Sequence, residues 1–277
     1  MSSAAQPLAQ LPPDIRLMNG VSALLLVGLA LAAIVLALHQ LARLPAFGIR
    51  HIDVEGDVSR NSVASLRANA LPQLSGTFLS MNLQQASGAF EAVPWVRTAV
   101  IQRVWPNRLR VRLEEHQPAA YWETKPEGAD AQSEASVERA LVNSFGEVFE
   151  ANLGDVEDER LPVLAGPRGT AAQMLAMWQQ LNGLSRGLDE SVERLDLSGR
   201  GSWRLTLEKG AVIELGRGSD AEVLARYQQY VRTITQMTSR YQTAVLAADL
   251  RHSDGYALRL RGVSTNIAPA TGRTKSK

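Results

Sequence analysis

The chain has 277 residues, 29 basic and 28 acidic, for a net charge of +1. This balance excludes the class of nucleic-acid binder that works through a basic patch or stripe. The absence of cysteine excludes disulfides and thiolate metal sites.

Residues 1–16 hold three prolines and no hydrophobic period, so they are expected to be disordered. Leu17 to Leu38 then runs without Asp, Glu, Lys or Arg. At about 1.5 Å per residue it spans a hydrocarbon core of roughly 30 Å. It exceeds the apolar stretch of about 7–15 residues in a secretory signal peptide. His39-Gln40 also stands where a cleavage motif belongs. The expectation is one uncleaved transmembrane helix with its flank, residues 17–42. Arg16 precedes the run and Arg43 and Arg50 follow it, a bias too slight to orient it. About 235 residues remain, enough for two small domains.

Residues 47–54 alternate as a strand, with a bulge near Arg50-His51 to bring Ile49 and Ile52 into phase. Ser59 is the expected N-cap of a helix through Leu71, ended by Pro72. Ser80 is expected to cap a second helix that faces inward with Leu83, Ala86, Phe90 and Val93. Trp95–Trp105 follows, then the turn Pro106-Asn107-Arg108. Leu109, Val111 and Leu113 alternate with Arg110, Arg112 and Glu114, the pattern of a sheet with one wet face. Strand, helix, helix, strand, strand over residues 45–116 resembles a single POTRA domain.

Residues 124–138 are polar and aperiodic and are expected to form a flexible insertion after the strand Ala119–Trp122. Leu141–Asn143 and Val148-Phe149 predict a hairpin turning at Gly146. Leu161–Leu164 is a short strand. Thr170 with Gln173 has the spacing of a capping box. Its helix should bury Met174, Met177, Trp178, Leu181 and Leu188. Val192–Leu197 is the next strand. Trp203, Leu205 and Leu207 alternate, Glu208–Gly210 turns, and Ala211, Ile213 and Leu215 alternate back. Ser219 and Glu222 form a second capping box. The helix behind it carries Val223, Tyr227, Val231, Ile234, Met237 and Tyr241. Val245–Arg251, a turn at Asp254-Gly255, and Tyr256, Leu258 and Leu260 alternating with Ala257, Arg259 and Arg261 end the domain. The fold class is therefore α+β: one transmembrane helix, a POTRA domain, and an antiparallel β-domain with packed helices over 117–263. A polar tail, 264–277, follows.

Chemistry-bearing motifs are few. No phosphate loop, HExxH, GxSxG or SxxK occurs. The stretches 199–202 and 216–219 are Gly-rich, but neither completes a nucleotide fingerprint, and turns are the simpler reading. The four histidines have no ligand spacing. Glu114-Glu115 and the acidic run 155–159 read as solvated charge. The expectation is a binding protein with no catalytic residues, metal or cofactor.

The chain resembles the FtsQ/DivIB family of bitopic cell-division proteins. The matching stretches are Pro94-Trp95-Val96 with Trp105-Pro106, Leu164–Pro167, Ser202–Leu207, Leu215–Gly218 and Asp249–Arg251. The resemblance implies a short cytoplasmic tail, one span of the inner membrane and a periplasmic bulk at the division septum. It implies scaffold work with FtsB, FtsL and other division proteins, in support of septal peptidoglycan synthesis. In the family the last strand takes up a strand of FtsB. Here that surface comprises Arg200, Arg251, His252, Gly255, Tyr256, Ala257, Leu258, Arg259 and Leu260. His252 stands where a tyrosine is familiar, and Leu260 where a tryptophan is. Ile101 and Arg103 match the strand linked with recruitment by upstream division proteins, although Ile101 reads equally well as core. Two alternatives stay open: a POTRA-bearing transport or assembly factor, and a membrane-anchored periplasmic enzyme. The first calls for more POTRA copies or a barrel, the second for a pocket of convergent titratable groups.

Overall fold

The computed structural model describes residues 13–42, 48–56, 58–124, 139–241, 243–252 and 255–262. Phe47, most of the insertion 124–138, Asp254 and the tail 264–277 lie outside them. Helix α1 spans Pro13–Ala42, four residues earlier than the apolar run predicts. Proline suits a helix start, where its missing N–H has no partner to lose. Every described side chain of α1 is exposed, and Met18–Leu41 has a mean hydropathy of 2.9. No polar stripe marks a soluble face, so the helix is long and apolar enough to cross a membrane.

The chain divides into two compact units at Glu115/His116, with α1 grouped in the first. The first contains β1 (His51–Gly56), α2 (Val63–Ala70), α3 (Leu83–Glu91), β2 (Val96–Val104) and β3 (Arg108–Glu115). Its sheet has the order β1-β3-β2, with β1 parallel and β2 antiparallel to the central β3. Leu109, Val111 and Leu113 are buried, while their alternating neighbours Arg110, Arg112 and Glu114 are exposed. Each such side chain contributes roughly 1.5–3 kcal/mol by leaving water. Leu66, Ala86 and Phe90 pack against them from the helices, and Val93 from the turn after α3.

Both helix starts differ from expectation, because other partners hold the serines: a distant carboxylate for Ser59 and a local turn for Ser80. Ser62, not Ser59, caps α2 by accepting from Ser65 N–H. Ser59 Oγ instead donates to Glu115, a buried carboxylate at the end of β3. Glu115 also accepts from the N–H groups of Arg60 (3.0 Å) and Asn61 (2.9 Å) and from Asn61 Nδ2 (3.0 Å). Asn82, not Ser80, caps α3; Ser80 is held in a turn with Thr77. Strand β1 begins at His51, so Arg50-His51 is the strand's start and not a bulge. Glu115→Ala should lower the stability of this unit by about 2 kcal/mol, since it strands two backbone donors that the carboxylate satisfied. Urea unfolding followed by a probe in this unit measures that loss.

The second unit holds β4 (Pro118–Thr124), β5 (Arg139–Asn143), β6 (Val148–Phe149), β7 (Val163–Gly166), α4 (Ala171–Ser185), β8 (Val192–Leu197), β9 (Trp203–Leu207), β10 (Val212–Gly216), α5 (Asp220–Tyr241), β11 (Val245–Asp249) and β12 (Ala257–Leu260). Among the described residues they form one sheet in the order β12-β11-β10-β9-β8-β7-β4-β5-β6. The sheet is mixed and not purely antiparallel: β10–β11, β7–β8 and β4–β7 pair in parallel. Helices α5 and α4 are the crossovers that return β11 and β8 in the direction of the strands before them.

The core lies between the sheet and these helices. Trp122, Leu164, Leu195, Leu205 and Ile213 meet Met174, Met177, Leu181, Val223 and Tyr227. Trp178 is half-buried, with its indole N–H donating to Val192 O at 2.9 Å. The predicted box at the start of α4 does not form. Thr170 donates its hydroxyl to Pro167 O, and Gln173 reaches Asp220. The box at the start of α5 does form: Ser219 N–H donates to Glu222 at 2.8 Å and Glu222 N–H to Ser219 Oγ at 3.4 Å. That bonding by Ser219 holds the Glu222 carboxyl below its ordinary value. On α5 the buried face is Val223, Tyr227, Tyr230 and Ile234, while Met237 is exposed.

A candidate partner-binding edge

Strand β12 is the last strand of the sheet, with only β11 beside it among the described residues. Its side chains alternate. Tyr256 and Leu258 pack on the core, whereas Ala257 and Arg259 are exposed. The backbone alternates in step. Arg261 N–H bonds inward to Ala244 O at 3.0 Å. The period of two then turns the N–H and C=O groups of Arg259 and Ala257 toward β11, and those of Leu258 and Leu260 toward the open side. A row of unpaired donors and acceptors of this kind accepts a further strand.

The strand is pinned from below by aromatic contacts. Tyr256 meets Tyr230 edge-on, ring centroids 5.4 Å apart, and its hydroxyl bonds Thr233 Oγ1 at 2.7 Å. Tyr230 stacks in turn with Tyr227, whose hydroxyl bonds Ser185 Oγ at 2.7 Å. Burial pushes the Tyr227 hydroxyl up to about 12, so it stays a neutral hydrogen-bonding group. Tyr230 was missed in favour of Val231, although Tyr227, Tyr230 and Ile234 have the i, i+3, i+7 spacing of one helix face.

The predicted basic residues gather at one end of the sheet. Glu214 is in register with Asp249, and Gly216 with Trp203. The β8–β9 turn carrying Arg200 and the segment Arg251-His252 after β11 therefore share that end, as does Ala257, which pairs with Asp249. Arg200, Arg251, His252 and Gly255 are exposed there. Arg251 is already engaged. It clamps Asp249 through Nε (2.8 Å), Nη2 (2.5 Å) and its own N–H (3.0 Å). These bonds hold the Asp249 carboxyl well below its usual range, at about 2. Asp249 thus sets the guanidinium's plane and leaves its outer N–H groups toward solvent.

Gly216 makes that placement possible, and sequence reading took it only for a turn residue. Its φ is +77°, and a Cβ there would come within 2.8 Å of Arg251 Cγ. Gly216→Ala is expected to displace Arg251 and to cost about 1 kcal/mol in backbone strain as well. A weaker Arg251–Asp249 pair, read from the Asp249 carboxyl titrating nearer its ordinary range by NMR, checks this.

In the first unit, the Ile101 side chain is buried among Leu109, Val111 and their neighbours. Its backbone is another matter, because β2 is a sheet edge. Ala99 N–H donates to Glu91 Oε1 at 3.1 Å and Ala99 O accepts from Ser87 Oγ. Helix α3 thus occupies the outward groups of Ala99. Those of Ile101 and Arg103 face the same side further along. The Arg103 guanidinium donates to Phe78 O (2.6 Å) and Met81 O (2.5 Å), tying the loop before α3 to the strand. Among the described residues no cluster of His, Asp and Glu could hold a metal ion.

Two family models match the chain. The FtsQ-type POTRA domain covers residues 47–116, and the C-terminal domain of cell division protein FtsQ/DivIB covers 131–251. Cell division protein FtsQ of Thiomonas arsenitoxydans is 40% identical, over 97% of this chain and 94% of its own. The proteins of that name from Burkholderia pseudomallei and Bordetella pertussis are each 35% identical, over 87% and 89% of this chain and 89% and 92% of theirs. With both domain models matched in order behind an apolar helix, the chain belongs to the FtsQ/DivIB family of cell division proteins.

Proposed function

We propose that this chain is a divisome scaffold whose β12 edge takes up a strand of FtsB, with FtsL held in the same complex. The observation that carries the proposal is the open side of β12, where the backbone groups of Leu258 and Leu260 face outward beside Arg251 and Arg200. The added strand supplies the missing ladder, and a partner carboxylate meets the outer N–H groups of Arg251. Ile101 and Arg103 offer a second edge on the POTRA domain for upstream division proteins. Helix α1 crosses the inner membrane with the N-terminus in the cytoplasm, and both domains work in the periplasm at the septum. The role is binding and not catalysis.

The test is direct. The full chain in detergent micelles is titrated with the periplasmic segment of FtsB from the same organism. Saturable binding that is lost when that segment's strand is scrambled supports the proposal. No binding, with the chain folded by circular dichroism, counts against it.

A further inference from the structure

The POTRA domain has one end that differs in character from the rest. His51 is in register with Arg108, and Arg108 with Val104. The start of β1, the start of β3 and the end of β2 therefore lie together, and Arg50 N–H bonds Asn107 O in the β2–β3 turn at 3.0 Å. Trp105 stands in that turn with 81% of its surface exposed. An exposure so large is unusual for the residue type with most apolar area to bury. Arg103 ties the loop before α3 to the same strand, and Leu79 in that loop is 51% exposed. No Asp or Glu occurs in residues 58–90 or 95–113. Among the described residues the exposed guanidinium groups of Arg50 and Arg108 have no acidic partner.

This basic, apolar end is also tethered. Helix α1 ends at Ala42, and eight residues reach at most about 30 Å to Arg50. Tryptophan favours the headgroup level of a bilayer, and arginine is drawn to anionic headgroups. We propose that the β2–β3 turn rests on the anionic lipid surface from which α1 emerges, with Trp105 inserted at headgroup depth and Arg50 and Arg108 on lipid phosphates. This rests on the reading of α1 as a bilayer span. It makes the POTRA domain a membrane-leaning module, with its orientation set by the lipid as well as by its tether.

The experiment uses the full chain in vesicles of phosphatidylcholine and phosphatidylglycerol carrying brominated acyl chains, which quench nearby tryptophan. Trp95, Trp122 and Trp203 are buried and Trp178 is half-buried, so these four contribute a background that the difference between wild type and Trp105→Phe removes. The proposal expects quenching in the wild type, loss of that component in Trp105→Phe, and its reduction in Arg50→Gln/Arg108→Gln or in vesicles without phosphatidylglycerol. Equal quenching of wild type and Trp105→Phe, in a chain that resists carbonate extraction, overturns this proposal alone. A chain that carbonate strips from the vesicles overturns the membrane reading and the proposal with it. Trp105 emission that responds to the FtsB segment and not to bromolipid assigns the turn to a protein contact and overturns the proposal too.

Discussion

Leu258→Pro is expected to weaken binding of the FtsB segment by at least about tenfold while the β-domain stays folded. Leu258 N–H faces away from β11, so proline breaks no bond within the sheet. It removes a donor that an added strand needs, and its ring occupies the space where that strand would pair. Loss of the leucine side chain also acts, because Leu258 packs partly on the core. That component costs about 1–2 kcal/mol of stability and is separable. Leu258→Ala loses the packing and keeps the N–H, so it should lower the melting temperature similarly and reduce binding far less. Calorimetric titration of the three chains beside their melting curves gives both quantities. Equal binding losses for Leu258→Ala and Leu258→Pro would mean that side-chain packing and not strand addition holds the partner.

Glu123→Ala should destabilise the β-domain by about 3 kcal/mol, speeding hydrogen exchange in β7 and β8 more than a hundredfold. Glu123 is buried on the sheet face opposite α4 and α5. It receives Arg194 Nη2 at 2.5 Å and Arg139 Nε at 3.2 Å. Arg194 also meets Asp196 at 3.1 Å. The register explains how β4 and β8 are bridged with β7 between them. Glu123, Ala165 and Asp196 form one row, and only a methyl group stands on the middle strand. Burial acts to lower the Arg194 guanidinium, but its bonds and charges with Glu123 and Asp196 more than offset this and leave it raised. Removing Glu123 leaves a half-buried cation with fewer partners, which is why the loss exceeds that of a surface pair. Glu123→Leu combined with Arg194→Met should recover most of the stability. If Glu123→Ala leaves exchange unchanged, the network is ornamental to the fold.

Strands with strict alternation were legible in the sequence. Leu109–Leu113 and the hairpin Trp203–Leu207/Val212–Gly216 needed only the period of two and a turn between them. The capping box Ser219–Glu222 was legible because nothing distant competes for either side chain. Ser59 was misread for the opposite reason. Its partner, Glu115, is more than fifty positions away, and local reading cannot choose between Ser59 and Ser62. Thr170 failed for a local reason, with φ −97° and ψ 0° that leave the extended geometry a cap requires. The parallel β10–β11 pairing follows from the long helix between them and was open to inference. The parallel pairings through β7 depend on sheet order, which no short pattern specifies.

The candidate site divides the same way. The terminal position of β12 was implied by the family resemblance; chain order alone does not specify an edge, since β3, the last strand of its own unit, is central in its sheet. The use of Asp249 to orient Arg251 rests on two residues of like orientation at i and i+2, a spacing too common to stand out. The Gly216–Arg251 packing joins elements on either side of α5 and shows only in the fold.

The measurement that tests the central claim most directly is amide hydrogen exchange of the chain with and without the FtsB segment. Strand addition at β12 predicts strong new protection at Leu258 and Leu260, with little change at Ala257 and Arg259, whose amides already face β11. Protection confined to other elements, or none on the outward amides at saturating partner, would contradict it.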